Sequence, residues 1–275
     1  MNTQQIGFIG GGNMAGSLIG GLVSNGYPAE KITVLDLDAE KLAYLSKTFG
    51  INSTQDSGSL VASADVLVLA VKPQHMQSVA EEVSSAIKQK APVVVSIAAG
   101  IRVDALERWL GAKLPIVRCM PNTPALVKTG ATGLYANAQV SESQKDQVES
   151  LLRAVGVTVW VEEEDELDAV TALSGSGPAY FFMMMEALEE AGIEAGLSQK
   201  TAQLLTQETA LGAAKMALES SESAGVLRQR VTSPGGTTER AIGVMGDRGL
   251  NDIFRAAVLA AKERSIELSD ELGAS

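Results

Sequence analysis

Cysteine and histidine are almost missing from this chain, which has only Cys119 and His75. A lone thiol excludes an intramolecular disulfide framework and fits a reducing, cytoplasmic compartment. One thiol and one imidazole cannot assemble a Cys/His zinc site, so no metal is expected. Positive charge is also scarce. Lys and Arg number 22 against 33 Asp and Glu, a net charge of −11. A surface of that sign repels phosphate backbones and argues against a nucleic-acid partner. Long apolar runs are lacking too. The greasiest helical stretch, residues 179–185, ends at Glu186 and is far too short to span a bilayer. The first basic residue is Lys31, so the apolar start has no positive n-region of a signal peptide. What stands out is glycine, 27 of 275 residues, about one in ten where roughly 7% is usual.

The length suggests about two domains. Residues 6–10, 32–36, 65–71, 92–98 and 115–119 read as buried strands, short and rich in Val and Ile. Between them, residues 13–24, 39–49, 74–87 and 103–110 have helical spacing. That alternation predicts βαβ units and a parallel sheet. A further strand-like pair, 131–136 and 157–161, flanks a helix at 141–154. Beyond the acidic stretch 162–166 only helical patterns remain, at 179–195, 198–220, 238–245 and 250–272. The prediction is an α/β Rossmann-type domain over residues 1–162 and an all-α domain over residues 163–275.

Gly10, Gly12 and Ala15 form a G-x-G-x-x-A pattern. It follows an apolar strand, opens a helix and precedes a second strand ending in Asp36, the context of a dinucleotide fold. In that context Gly10 serves the tight turn, Gly12 lets backbone approach a pyrophosphate, and Ala15 packs close to the strand. The helix-start amides then face the phosphates. Asp36 either accepts the ribose hydroxyls of NADH, against a 2′-phosphate, or caps the next helix, a task Asp38 can also perform. Two loops at strand ends, Ala70-Val71-Lys72-Pro73 and Met120-Pro121-Asn122-Thr123-Pro124, offer amides to a nicotinamide or are plain turns. Ser233-Pro234-Gly235-Gly236-Thr237-Thr238 opens a late helix. It is either a cradle for a small anion or an ordinary capped helix start. The acidic run 162–166 reads as a solvated linker and helix start, Met183-Met184-Met185 as core or subunit-interface packing, and Cys119 as packing.

These segments, together with Ser96-Ile97-Ala98-Ala99-Gly100 and Ser174-Gly175-Ser176-Gly177-Pro178-Ala179-Tyr180, resemble the ordered blocks of bacterial pyrroline-5-carboxylate reductases over nearly the whole chain. The resemblance implies reduction of (S)-1-pyrroline-5-carboxylate to L-proline by NADPH or NADH, the final step of proline biosynthesis. It implies cofactor contacts at Gly10, Gly11, Gly12, Asn13, Met14, Asp36, Ala70, Val71, Lys72, Pro73, Ala98, Gly100, Met120, Asn122 and Thr123. Ser233, Gly235, Gly236, Thr237 and Thr238 would hold the substrate, with the Thr238 hydroxyl facing the ring nitrogen as the catalytic group. A homodimer through the helical domain, in some relatives a decamer, is implied as well. The resemblance implies that most members favour NADPH or accept both cofactors, with Ser or Thr near this position in NADPH-preferring relatives, whereas the Asp36 carboxylate leans to NADH. Two other readings compete. A β-hydroxyacid dehydrogenase would carry a lysine on the long helix after Gly177, where none follows. A non-catalytic dinucleotide sensor would bind NAD(P)H without turnover.

Overall fold

The computed structural model describes residues 4–273. Eight strands form one sheet in the order β3-β2-β1-β4-β5-β6-β7-β8. The parallel strands are β1 (Ile6–Ile9), β2 (Ile32–Leu35), β3 (Asn52–Thr54), β4 (Val66–Leu69), β5 (Val93–Ser96) and β6 (Ile116–Met120). β7 (Gly130–Ala136) turns antiparallel to β6, and β8 (Gly156–Trp160) lies parallel to β7.

Period-two alternation explains why the central strands are apolar at every position. Val66 and Val68 of β4 join one core layer, while Leu67 and Leu69 join the other. The first layer is closed by α1 (Asn13–Ser24), α2 (Ala39–Phe49) and α6 (Glu142–Arg153), through Leu18, Leu45 and Val148. The second is closed by α3 (Ser57–Ser63), α4 (Met76–Lys90) and α5 (Val103–Leu110), through Leu60, Ile87 and Leu106. Each fully buried aliphatic side chain contributes roughly 1.5–3 kcal/mol. The strand order reverses between β1 and β4, and that switch point sets where a ligand binds.

The helical part contains α7 (Glu166–Val170), α8 (Gly177–Glu194), α9 (Gln199–Glu219), α10 (Ala224–Arg230), α11 (Thr237–Asp247) and α12 (Leu250–Gly273). A π-helical turn over Thr171–Gly175 follows α7, with the Ser176 amide donating to Thr171 O at 2.8 Å. The compact units do not divide at residue 162. One runs through Ser176 and regains the chain from Ala260, and the other is Gly177–Leu259. The reason is packing: Val170 on α7 fills the space over Gly133 of β7, and Leu272 at the end of α12 lies over Gly100. Within the second unit, α8 and α9 meet at Gly192 and Ala202. Phe181, Phe182 and Met183 of α8 and Leu204, Leu205 and Leu211 of α9 stay more than half exposed in the single chain. Single-chain packing therefore does not account for the Met183 position. No described helix is long and apolar enough to cross a membrane.

Candidate functional site

The turn between β1 and α1 lies at the switch point. Gly10 has φ of +103°, and a Cβ added there would sit 2.5 Å from Ala70 O, so both backbone conformation and space demand glycine. Its amide donates to Leu35 O at 2.8 Å, fixing the turn to β2. Gly12 caps α1 in extended conformation, with no side-chain cap and no acidic residue in the first turn. A Cβ on Gly12 would meet nothing within 4 Å. The helix-start amides therefore face open space, the requirement for a pyrophosphate. Gly12 and Asn13 are exposed, Met14 is half-buried and Ala15 is buried.

Asp36, just past β2, accepts the Gly11 amide at 2.7 Å on Oδ2 and the Asp38 amide at 2.9 Å on Oδ1. It does not cap α2. Asp38 does, accepting from the Glu40 and Lys41 amides at 3.0 and 3.2 Å. Those amides, Lys41's first, hold the Asp38 carboxyl below its usual range.

The other expected cofactor residues lie at the carboxyl ends of β4, β5 and β6, but not all can face a ligand. Ala70, Val71 and Pro73 are half-buried beside β1, and Lys72 is exposed. Ala98 is buried, and Gly100 is buried with its α-carbon toward Leu268 and Leu272 of α12, a packing position. Met120 ends β6 with its methyl group against Gly175. The Asn122 amide joins protein to protein: Nδ2 donates to Ser174 O at 3.1 Å, and Oδ1 accepts the Ala131 amide at 2.9 Å. Thr123 is exposed at the start of a 3₁₀ turn.

The acidic run is exposed at Glu162, Glu163, Asp165 and Glu166, and Glu166 starts α7 as expected, but Glu164 is half-buried and Asp165 is paired. Arg118, buried within β6, pairs with Glu164 at 2.6 Å. Glu164 also accepts the Val103 amide at 2.8 Å and so serves the start of α5. Arg102 pairs with Asp165 and, at 3.6 Å, with buried Asp168. Asp168 in turn accepts the Ser265 hydroxyl of α12 at 2.6 Å. The overlooked signal was Arg118 itself, since a guanidinium in a buried strand demands a carboxylate. Burial pushes the Cys119 thiol far up, so it is no thiolate nucleophile.

In the helical unit, Gly235 has φ of +72°, and Gly236 caps α11 without a side-chain cap. The hydroxyls of Ser233, Thr237 and Thr238 therefore do not close this helix start. Ser233 and Thr237 are exposed and Thr238 is half-buried. The Gly236 amide turns back to Ser233 O at 3.0 Å. The Gly235 amide donates to Glu239 Oε2 at 2.7 Å. Glu239 was missed at the sequence level, although a Glu three residues after a helix cap commonly reaches back to the amides before it.

The sheet order and the open glycine turn define a Rossmann-type dinucleotide-binding oxidoreductase with an appended helical region. Residues 5–100 match the family described as NADP oxidoreductase coenzyme F420-dependent, and residues 164–268 the one described as pyrroline-5-carboxylate reductase dimerisation. The chain is 52% identical to the pyrroline-5-carboxylate reductase of Pseudomonas aeruginosa, over 99% of this chain and 100% of that one. Identity to the Escherichia coli enzyme is 39%, over 99% of both chains. A solved pyrroline-5-carboxylate reductase from Coxiella burnetii superposes with a TM-score of 0.94 at 48% identity, over 97% of this chain and 99% of that chain. The Plasmodium falciparum pyrroline carboxylate reductase, solved with NADP bound, gives 0.85 at 28% identity, over 98% and 99%. The chain belongs to the pyrroline-5-carboxylate reductase family.

Proposed function

We infer that this protein reduces 1-pyrroline-5-carboxylate to proline with NAD(P)H, the last step of proline biosynthesis. The carrying observation is the pair of helix starts, at Gly12 and Gly236, that lack a side-chain cap. Each leaves amides for an anion, one for a dinucleotide pyrophosphate and the other for a small carboxylate. A reduced nicotinamide, when bound, would supply hydride to the imine carbon, with the proton on the ring nitrogen coming from solvent. The chain's own part is binding and orientation. Gly10, Gly11 and Gly12 shape the phosphate turn, with Asn13 and Met14 in the first turn of α1. Asp36 faces the ribose, and the ends of β4 to β6 border the nicotinamide. Amides and hydroxyls of Ser233, Gly235, Gly236 and Thr237 hold the substrate carboxylate, and the Thr238 hydroxyl hydrogen-bonds the ring nitrogen.

Functionally we assign residues 1–162 to the cofactor and residues 163–275 to substrate binding and self-association. The exposed faces around Phe182 and Leu205 support a homodimer through the helical region, because large apolar patches on a soluble chain mark interaction surfaces. Assembly of dimers into a decamer and a cytoplasmic location complete the reading.

The test is the absorbance of the reduced nicotinamide when pyrroline-5-carboxylate is added to protein with NADH or NADPH. A steady fall with either cofactor is expected, and a flat trace with both refutes the reading. Thr238→Ala should lower kcat/KM by at least about tenfold, about 1.4 kcal/mol of transition-state binding, at unchanged folding. Wild-type kinetics would remove Thr238 from the site.

A further inference from the structure

We propose that this chain takes NADH in preference to NADPH, because the segments after β2 and β3 present carboxylates to the adenosine ribose and leave no free cation for a 2′-phosphate. The proposal rests on the cofactor reading above and selects between its two alternatives.

Asp36 is held rather than mobile. Each of its oxygens receives one backbone amide, from Gly11 at 2.7 Å and from Asp38 at 2.9 Å. A carboxylate offers about four acceptor positions, so roughly two remain for donors. Two ribose hydroxyls are donors and suit them. A 2′-phosphate lacks the donor and carries about −1.5 to −2 charge at neutral pH. Asp38 stands two residues on with its carboxyl held below its usual range by the Lys41 amide.

The neighbouring strand adds to this. Leu35 of β2 pairs with Thr54 of β3 in parallel, so the turn after β3 opens at the same carboxyl end of the sheet. Asp56 caps α3 in that turn and accepts the Ser59 hydroxyl at 2.6 Å and the Ser59 amide at 3.2 Å. Its carboxyl too is held below its usual range, first by the Ser59 hydroxyl. Between Ile32 and Ser46 the one cation is Lys41, and its Nζ lies 3.4 Å from Asp38 Oδ2. Residues 52–63 contain no Lys or Arg. A 2′-phosphate would therefore meet carboxylates from two turns. Asp36 also pins the glycine-rich turn through Gly11, so cofactor choice and the shape of the phosphate site are set by one side chain.

The experiment is titration of the wild-type protein with NADH and with NADPH, read by nicotinamide fluorescence, alongside kcat/KM for both. NADH should be favoured by at least about tenfold in Kd. Asp36→Ser should move that ratio toward NADPH by a similar factor. Leu37, 95% exposed, provides a second variant that spares the Gly11 bond: Leu37→Arg should tighten NADPH binding and leave NADH unchanged. Equal or tighter NADPH binding by the wild type overturns the proposal, as does a Kd ratio that neither variant moves. Because the titration needs no turnover, a protein that prefers NADH but leaves pyrroline-5-carboxylate unreduced would refute the reductase reading alone.

Discussion

Replacing Glu164 with Gln tests whether the acidic run after β8 is structural. The amide keeps the shape of the side chain and can still accept the Val103 amide, now at 2.8 Å. What it loses is the charge facing Arg118 at 2.6 Å. Breaking a fully buried pair by removing one partner costs roughly 3–5 kcal/mol, because the remaining charge stays buried. The side chains are 8% exposed at Arg118 and 21% at Glu164, so solvent screens part of this. About 2–3 kcal/mol is then expected. For a unit of this size each kcal/mol moves Tm by roughly 2–4 °C, so the loss should be about 4–12 °C. Circular dichroism melts settle it, at one protein concentration because self-association shifts apparent stability. Arg118→Met combined with Glu164→Leu should cost less than the sum of the single changes, since no charge is left unpaired. A Glu164→Gln melt within about 0.5 kcal/mol of wild type, the range of ordinary surface substitutions, would refute this account.

Gly10→Ala should cost more than about 2 kcal/mol, because left-handed strain of roughly 1–2 kcal/mol adds to the Ala70 clash. It should also weaken dinucleotide binding by over about tenfold in a fluorescence titration; unchanged binding would mean that the turn is not the phosphate site. Glu239→Ala removes both a like charge and a competitor for the Gly235 amide. KM for the anionic substrate should fall about two- to fivefold, most at low salt, and an unchanged KM would place the substrate elsewhere. Glu149 is held below its usual range, first by the Trp160 indole hydrogen bond at 3.0 Å. A depressed folded pKa contributes stability above the unfolded value, about 4.3, and loses it as pH falls through the folded one. Glu149→Gln should flatten the decline of Tm between about pH 5 and 3, and parallel declines would contradict the assignment.

The legible parts of the fold are those where local and tertiary preferences agree. α1, α2 and α5 begin and end where their apolar spacing predicts, because the face each must bury is written at the helical period. β3 escaped notice because Asn52-Ser53-Thr54 is a polar edge strand, paired on one side only and with no apolar face to mark it. α3 and α10 are short and begin in serine- and glycine-containing segments of low helix propensity. The compact units divide elsewhere than at residue 162 for a related reason. A change from strands to helices marks where secondary structure changes, whereas the contacts of Val170 and Leu272 decide which helices stay with the sheet. In the turn after β1, the need for glycine was legible at Gly10, whose left-handed backbone and close Ala70 oxygen exclude a side chain. Asn122 and Glu164 were not legible, since their roles depend on partners 52 and 46 positions distant.

An acidic protein that must bind two anions can do so because recognition happens at closer range than net charge acts. Backbone amides work at hydrogen-bond distance, while exposed charges beyond roughly 8–10 Å are screened at physiological salt. On that scale the two helix starts differ. Both have the amide of the preceding glycine on a carboxylate, but Asp36 lies outside α1, whose first turn has no acidic residue, whereas Glu239 belongs to the first turn of α11. The start at Gly236 already has its neighbouring Gly235 amide bonded to Glu239, so a substrate carboxylate must replace an internal one. The positive end of the helix is therefore less cancelled by first-turn charge at Gly12 than at Gly236. Added salt should accordingly weaken substrate binding less than dinucleotide binding, because Glu239 repels the substrate and the repulsion is screened along with the attraction.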